Sequence, residues 1–160
     1  FYGLSITSLL LIILTIFFII IFFIDLKHFI IPNTLTFPLM FIGFVKSFDP
    51  NLNNFLFPNY INSLIGGITG YLIIWLIIFA YKKIRNKEGM GLGDAKLLSA
   101  IGFWFGWYSI PFVLFLSSII ALGIALPSLI KKSKNLSSQI PFGPYIILGI
   151  TLYIFIKHII

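Results

Sequence analysis

Six long apolar runs, separated by short polar segments, constrain the fold of this chain more than any other feature. The chain is 59% hydrophobic and only 9% charged over 160 residues, so it has too few polar side chains to cover a water-facing surface. Runs of about 20 apolar residues fit membrane-spanning helices, and they are too long for barrel strands. The sequence therefore predicts one integral-membrane domain over residues 1–160, an all-α, polytopic bundle of about six transmembrane helices: Leu4–Ile24, Pro32–Phe48, Ile61–Tyr81, Gly93–Tyr108, Ile110–Ile130 and Phe142–Ile156.

The basic residues cluster at one set of helix ends. Nine of the eleven Lys and Arg residues lie at these ends and two at the opposite ends, which predicts that the first set faces the cytoplasm and that both termini face outward. The clusters make no continuous basic face, so nucleic acid is not an expected partner. The nine residues are Lys27, Lys82, Lys83, Arg85, Lys87, Lys96, Lys131, Lys132 and Lys134, and the other two are Lys46 and Lys157.

Two of the four acidic residues converge on the cytoplasmic side of this predicted bundle. Asp25 follows the first span and Asp94 begins the fourth. A carboxylate at the edge of the hydrocarbon layer is costly, and it is by default a candidate functional residue. Two simpler interpretations stay open: interfacial water solvates Asp25, and Asp94 is the N-cap of the fourth helix.

A close pair of carboxylates has its own chemistry. Like charges cannot both ionise cheaply in a poorly solvated site, so such a pair shares one proton. The ionised member deprotonates a water molecule, while the protonated member polarises a carbonyl and later protonates the leaving amine. The chain has no cysteine, which excludes thiol nucleophiles, and its two histidines lack the carboxylate cluster of a metal site. We therefore expect an aspartic hydrolase without metal or cofactor.

The stretch "EGMGLGDAKLL" at residues 88–98 places three glycines before Asp94. Without Cβ atoms, Gly89, Gly91 and Gly93 have access to positive φ and to close approach of a substrate strand. The Lys-Ser/Thr pair of a phosphate-binding loop does not follow them. A flexible loop tip is the alternative.

Three stretches together resemble the type IV prepilin peptidases, which are membrane aspartic proteases of the GxGD type. They are "FFIDLKHFIIPNTLTFPLM", "EGMGLGDAKLLSAIGFWFGW" and "IPFGPYIILG", and the resemblance covers about residues 15–150. It implies that Asp25 and Asp94 are catalytic and that the chain removes a short basic leader from prepilin or pseudopilin precursors. It also implies an inner-membrane protein whose active site faces the cytoplasm.

Larger members of that family carry a cytosolic N-terminal domain with paired C-x-x-C motifs and an S-adenosylmethionine-dependent N-methyltransferase activity. This chain has neither cysteine nor a polar N-terminal segment. We expect either a minimal peptidase or a part of a longer protein, and methylation is not carried over from the resemblance.

Further residues near the two aspartates are candidates for substrate binding or for shaping the site. Each also has a structural interpretation: helix entry for Pro32 and the 141–144 segment, a headgroup contact for Lys96, and loop ordering for Glu88. The candidates are Gly91, Gly93, Lys96, Glu88, Pro32, Asn33, Pro141, Phe142, Gly143 and Pro144.

Two other functions also fit an apolar chain with paired acids. A small proton- or ion-coupled transporter would place carboxylates near the bilayer midplane, within inverted repeats. A non-catalytic scaffold of a pilus or secretion machine would tolerate Asp25→Asn. The aspartates lie at span ends and no repeat is visible, which favours the peptidase.

Overall fold

The computed structural model of the chain describes residues 6–52, 56–85, 91–130 and 141–159, without the side chains of 85, 125–130 and 158. Within these ranges the protein is all-helical, which confirms the predicted class, and six α-helices fall where six apolar runs predict them. They are α1 (Ile6–His28), α2 (Asn33–Lys46), α3 (Tyr60–Arg85), α4 (Leu92–Phe105), α5 (Ser109–Ile130) and α6 (Gly143–Ile159), with a 3₁₀ turn at Pro50–Leu52.

The helices differ in their capacity to cross a membrane. Within the described ranges, α1 and α3 are long and apolar enough to do so, while α5 and α6 have shorter apolar stretches, Ser109–Ile124 and Gly143–Lys157. Helices α2 and α4 have 14 residues each, which is about 21 Å at the usual rise, against about 30 Å of hydrocarbon. The outer faces of the long helices are apolar, with Ile12 59% and Phe23 65% exposed. An apolar exposed surface of this kind fits lipid rather than water.

Helix α4 lies at the centre of the bundle and packs against α2, α3, α5 and α6. Ten of its fourteen residues are buried, and small residues allow its neighbours to approach closely. A Cβ atom on Gly102 would collide with the backbone of Gly66 in α3, and one on Gly70 would lie 2.7 Å from the carbonyl oxygen of Leu98. Gly66, Gly67 and Gly70 thus form the surface of α3 that packs against α4.

The last carbonyls of α4 are bonded by side chains from other helices. Ser63 Oγ donates to the carbonyl of Phe103 at 2.6 Å, and Lys46 Nζ donates to the carbonyl of Trp104 at 2.9 Å. Lys46 Nζ also lies 3.9 Å from the ring centroid of Phe57. A helix end leaves four carbonyls without intrahelical partners, and a cation is favoured there. These bonds allow α4 to end inside the protein.

Lys46 lies at the outer end of α2, where the charge count places it, but it is not a solvated charge. Its side chain is only 6% exposed, because it packs against α4 and donates to the carbonyl of Trp104. Trp104 strengthens the same contact, since its Nε1 donates to the carbonyl of Leu39 at 2.8 Å.

Helix α1 extends further than the predicted span. It ends at His28 rather than at Ile24, so Asp25 lies inside its last turn. Phe29 follows with φ of 57°, and its N–H donates to the carbonyl of Asp25 at 2.9 Å. A left-handed residue after a helix is a common way to end it, although glycine is usual there. This turn redirects the chain towards α2 within four residues.

We predict that Lys46→Met lowers the stability of the protein, because it leaves the carbonyl of Trp104 buried and unpaired. The expected loss is about 1–3 kcal/mol of the free energy of unfolding, measured as a lower midpoint of thermal unfolding in detergent. The matched control is Lys83→Met at an exposed position of α3, where little change is expected. A higher midpoint for Lys46→Met would mean that desolvation of the amine outweighs its contacts.

Candidate active site

Asp25 is buried near the end of α1. Its side chain is 4% exposed, and its position in the last helical turn directs it towards the start of α6. A Cβ atom on Gly143, the first residue of α6, would lie 2.5 Å from Asp25 Oδ2. The N–H of Gly143 also lies beside this carboxyl group. Only a glycine at 143 leaves room for the aspartate in this position.

Asp94 is buried in the first turn of α4, with 7% exposure. The helix begins at Leu92 and Gly91 is its N-cap, so Asp94 is the third helical residue. The alternative in which Asp94 is itself the N-cap is therefore wrong. An acidic third residue facing the N-cap N–H is the arrangement of a capping box, and the N–H of Gly91 lies beside the Asp94 carboxylate. The positive end of the helix dipole favours an acid at this position.

The fold brings the two aspartates together. The carboxylate of Asp25 acts electrostatically on Asp94, although the residues come from different helices. Ile31 joins their surroundings: a Cβ atom on Gly93 would lie 2.9 Å from Ile31 Cβ, and one on Gly143 would lie 3.0 Å from Ile31 Cδ1. Ile31 is thus packed between the neighbour of Asp94 and the glycine that faces Asp25.

One oxygen of the Asp25 carboxylate has an incomplete set of hydrogen-bond partners. Asp25 Oδ2 is buried and has no hydrogen-bond partner among the described residues, even though the Gly143 N–H is nearby. Buried polar atoms are nearly always paired, and a catalytic role is one explanation for an exception. This oxygen has the free lone pairs needed to accept a proton or to hold a nucleophile.

Lys96 and Asn33 meet at the rim of the site. Lys96 Nζ donates to Asn33 Oδ1 at 2.6 Å and lies 5.6 Å from the ring centroid of Phe37. Lys96 thus has a partner within the protein in addition to the headgroup contact expected from the sequence. Pro32 is the N-cap of α2, without a side-chain cap bond.

The 141–144 segment forms the entrance to α6. The carbonyl of Phe142 accepts bonds from the N–H groups of Tyr145 and Ile146. Pro144 is buried, whereas Pro141 and Phe142 are partly exposed. Proline is tolerated in the first turn of a helix, because the N–H groups there make no intrahelical bond and the loss of one costs little. This segment can therefore begin α6 and place Gly143 beside Asp25.

The glycines of the 88–94 stretch behave differently from the prediction. Gly91 has φ of −82°, an extended conformation, and Gly93 lies within α4; in the ranges that the structure describes, Gly106 alone among glycines has positive φ. The expectation of positive φ is wrong for these two residues because an extended N-cap suffices to begin α4. The close approach at Gly93 is to Ile31 of the same chain. Glu88 and Gly89 lie outside the described residues.

A cavity of about 530 Å³ lies apart from the two acids. It is an apolar groove between α1 and α6 that reaches Phe22 and Ile147, each about one helical turn from Asp25 or Gly143. Neither aspartate lines it. In the described part of the chain, no three His, Asp or Glu residues lie close enough to hold a metal ion.

Sequence reasoning missed Ile31 and Lys46. Ile31 stands in the quoted "IIPN" stretch, but an isoleucine carries no chemical signal of a site. A lysine at a helix end next to a polar segment is normally interpreted as a solvated charge, and only the contacts of Lys46 with α4 show that it is buried.

Comparison with known proteins identifies the family of the chain. The profile of the type IV leader peptidase family matches residues 12–126. Relatives named prepilin leader peptidase/N-methyltransferase are 40% identical over 78% of this chain in Aeromonas hydrophila and 36% identical over 77% in Pseudomonas aeruginosa. A similar relative in Burkholderia pseudomallei is 32% identical over 79%.

The chain spans about two fifths of the length of these relatives, 41%, 41% and 39% respectively. No solved structure matches it. The family match covers most of the chain and includes both aspartates. This chain belongs to the type IV leader peptidase family.

Proposed function

We propose that this chain is a membrane-embedded aspartic endopeptidase that removes the basic leader from type IV prepilin or pseudopilin precursors. The observation that carries the proposal is the meeting of two buried carboxylates, one with an unpaired oxygen, in a chain of a leader peptidase family. Relatives that carry the prepilin peptidase name support the choice of substrate.

The mechanism follows from the surroundings of the two acids. Asp25 and Asp94 share one proton, because both are buried and two negative charges near each other repel. The ionised member takes a proton from a water molecule, which attacks the scissile carbonyl, and the protonated member polarises that carbonyl and then protonates the leaving amine. A covalent intermediate is not required. Either aspartate can be the ionised member, because a coupled pair titrates as a unit.

The same proposal includes a multi-pass arrangement in the inner membrane with the site at the cytoplasmic face. The excess of Lys and Arg at the helix ends near Asp25 and Asp94 supports this orientation. The apolar outer faces of α1 and α3 support a lipid environment. The short helices α2 and α4 rest against other helices, and their ends have protein partners. A basic leader would approach two acids, which favours its binding.

We predict that Asp25→Asn and Asp94→Asn each lower the rate of prepilin cleavage by about 10²- to 10⁴-fold, since each removes a member of the acid–base pair. The assay is cleavage of a type IV prepilin in proteoliposomes. Asp49→Asn is the matched control, because Asp49 follows the opposite end of α2, where it accepts bonds from Asn51. Cleavage at the wild-type rate by either site variant would exclude the two-aspartate mechanism.

We also predict that Gly143→Ala lowers cleavage by about 10- to 100-fold, because the added methyl group would lie 2.5 Å from Asp25 Oδ2 and displace the carboxylate. The measurement is kcat at saturating prepilin, with circular dichroism as a check on folding. Gly123→Ala is the control, since a Cβ atom there has no neighbour within 4 Å. Gly91→Ala should also be tolerated, because its nearest neighbour would lie at 3.8 Å. Equal activity of the 143 and 123 variants would contradict the assigned geometry.

A further inference from the structure

We propose that Lys96 and Asn33 are a positioning pair, whose hydrogen bond holds the first turns of α2 and α4 together and so fixes the separation of the two aspartates. The inference rests on the proposed peptidase function and adds to it two residues that act through others. Neither residue is taken to touch the substrate.

The hydrogen bond itself is well defined. Lys96 Nζ donates to Asn33 Oδ1 at 2.6 Å, and a lysine ammonium has donors only, so its partner on the amide must be the oxygen. A bond with one charged member is stronger than a bond between neutral groups. Lys96 is partly buried and Asn33 is exposed, which places the bond at the rim of the bundle.

The positions of the two residues explain why the bond reaches the aspartates. Asn33 begins α2 and comes two residues after Ile31, while Lys96 comes two residues after Asp94 in α4. Ile31 packs against both Gly93 and Gly143, and Gly143 faces Asp25 Oδ2. A shift of the start of α2 away from α4 would therefore move Ile31 and change the spacing between the acids.

The short connection from α1 to α2 makes this spacing sensitive. Four residues join the helices, and the first of them, Phe29, has φ of 57°. A non-glycine residue in this conformation is strained, because its Cβ atom crowds the following carbonyl oxygen, and it persists only where surrounding contacts hold it. The Lys96–Asn33 bond is one such contact, at the other end of the same connection.

The fold should survive loss of this bond. At the far end of α2, Trp104 Nε1 donates to the carbonyl of Leu39, and Lys46 donates to the carbonyl of Trp104. These bonds keep α2 against α4 when Lys96 or Asn33 is replaced. The expected defect is a displaced site within a folded protein.

The experiment measures kcat and KM for prepilin cleavage with Lys96→Met, Asn33→Leu and the double variant. We expect each single variant to lower kcat by about 10- to 100-fold with KM unchanged, as a misplaced catalytic group does. The double variant should be no worse than the poorer single one, because both remove the same interaction. Lys96→Arg should retain most activity, since it also donates to Oδ1, and Lys83→Met is the control for loss of a lysine.

A second measurement does not depend on activity. The chain has no cysteine, so Asp25→Cys together with Asp94→Cys provides the only two thiols for a short bifunctional thiol reagent. We expect Lys96→Met to lower the yield of the internal cross-link and Lys83→Met to leave it unchanged. If wild type fails to cleave prepilin, the proposed function fails while the cross-linking result still tests the positioning pair.

Two outcomes would overturn the inference. A higher KM with unchanged kcat in Lys96→Met, together with a fully active Asn33→Leu, would make Lys96 a substrate-binding residue. Cleavage and cross-linking that match the Lys83→Met control would make Lys96 an interfacial lysine without a role in the site.

Discussion

The burial of Asp94 in the first turn of α4 is the constraint on which the rest of the structure depends. A carboxylate removed from water must be compensated locally, and here the start of a helix supplies a dipole and a nearby N–H. That helix must itself lie within protein rather than lipid. Its glycine contacts with α3 and the side chains that bond its last carbonyls meet this requirement.

Asp25, the second acid, is positioned by contacts at the end of a helix rather than at its start. Asp25 is held in the last turn of α1, with the start of α6 against its carboxylate, and the adjoining 29–32 connection packs against the starts of α4 and α6. Ile31 is the common contact of the last two. An apolar side chain in this place keeps water away from the acids on one side, which strengthens their mutual interaction.

Two lysines of similar chemistry serve opposite ends of the α2–α4 contact. Lys46 donates from the end of α2 to the end of α4, and Lys96 donates from α4 to the start of α2. Both would be costly as isolated charges in an apolar bundle. Each is bonded to a protein oxygen, and each lies near an aromatic ring, so polar contacts hold together two helices that are too short to be fixed by the bilayer.

The sequence by itself determined the six helices and the family, and it singled out the two acids as a candidate pair. Apolar runs and rare charges are local signals, because a charge beside the hydrocarbon layer is costly. The tertiary structure decided that Ile31 lies between Gly93 and Gly143, that Lys46 is buried, that Lys96 bonds Asn33, and that Gly91 rather than Asp94 caps α4. These features depend on which residues of distant helices touch, and no local pattern encodes such contacts.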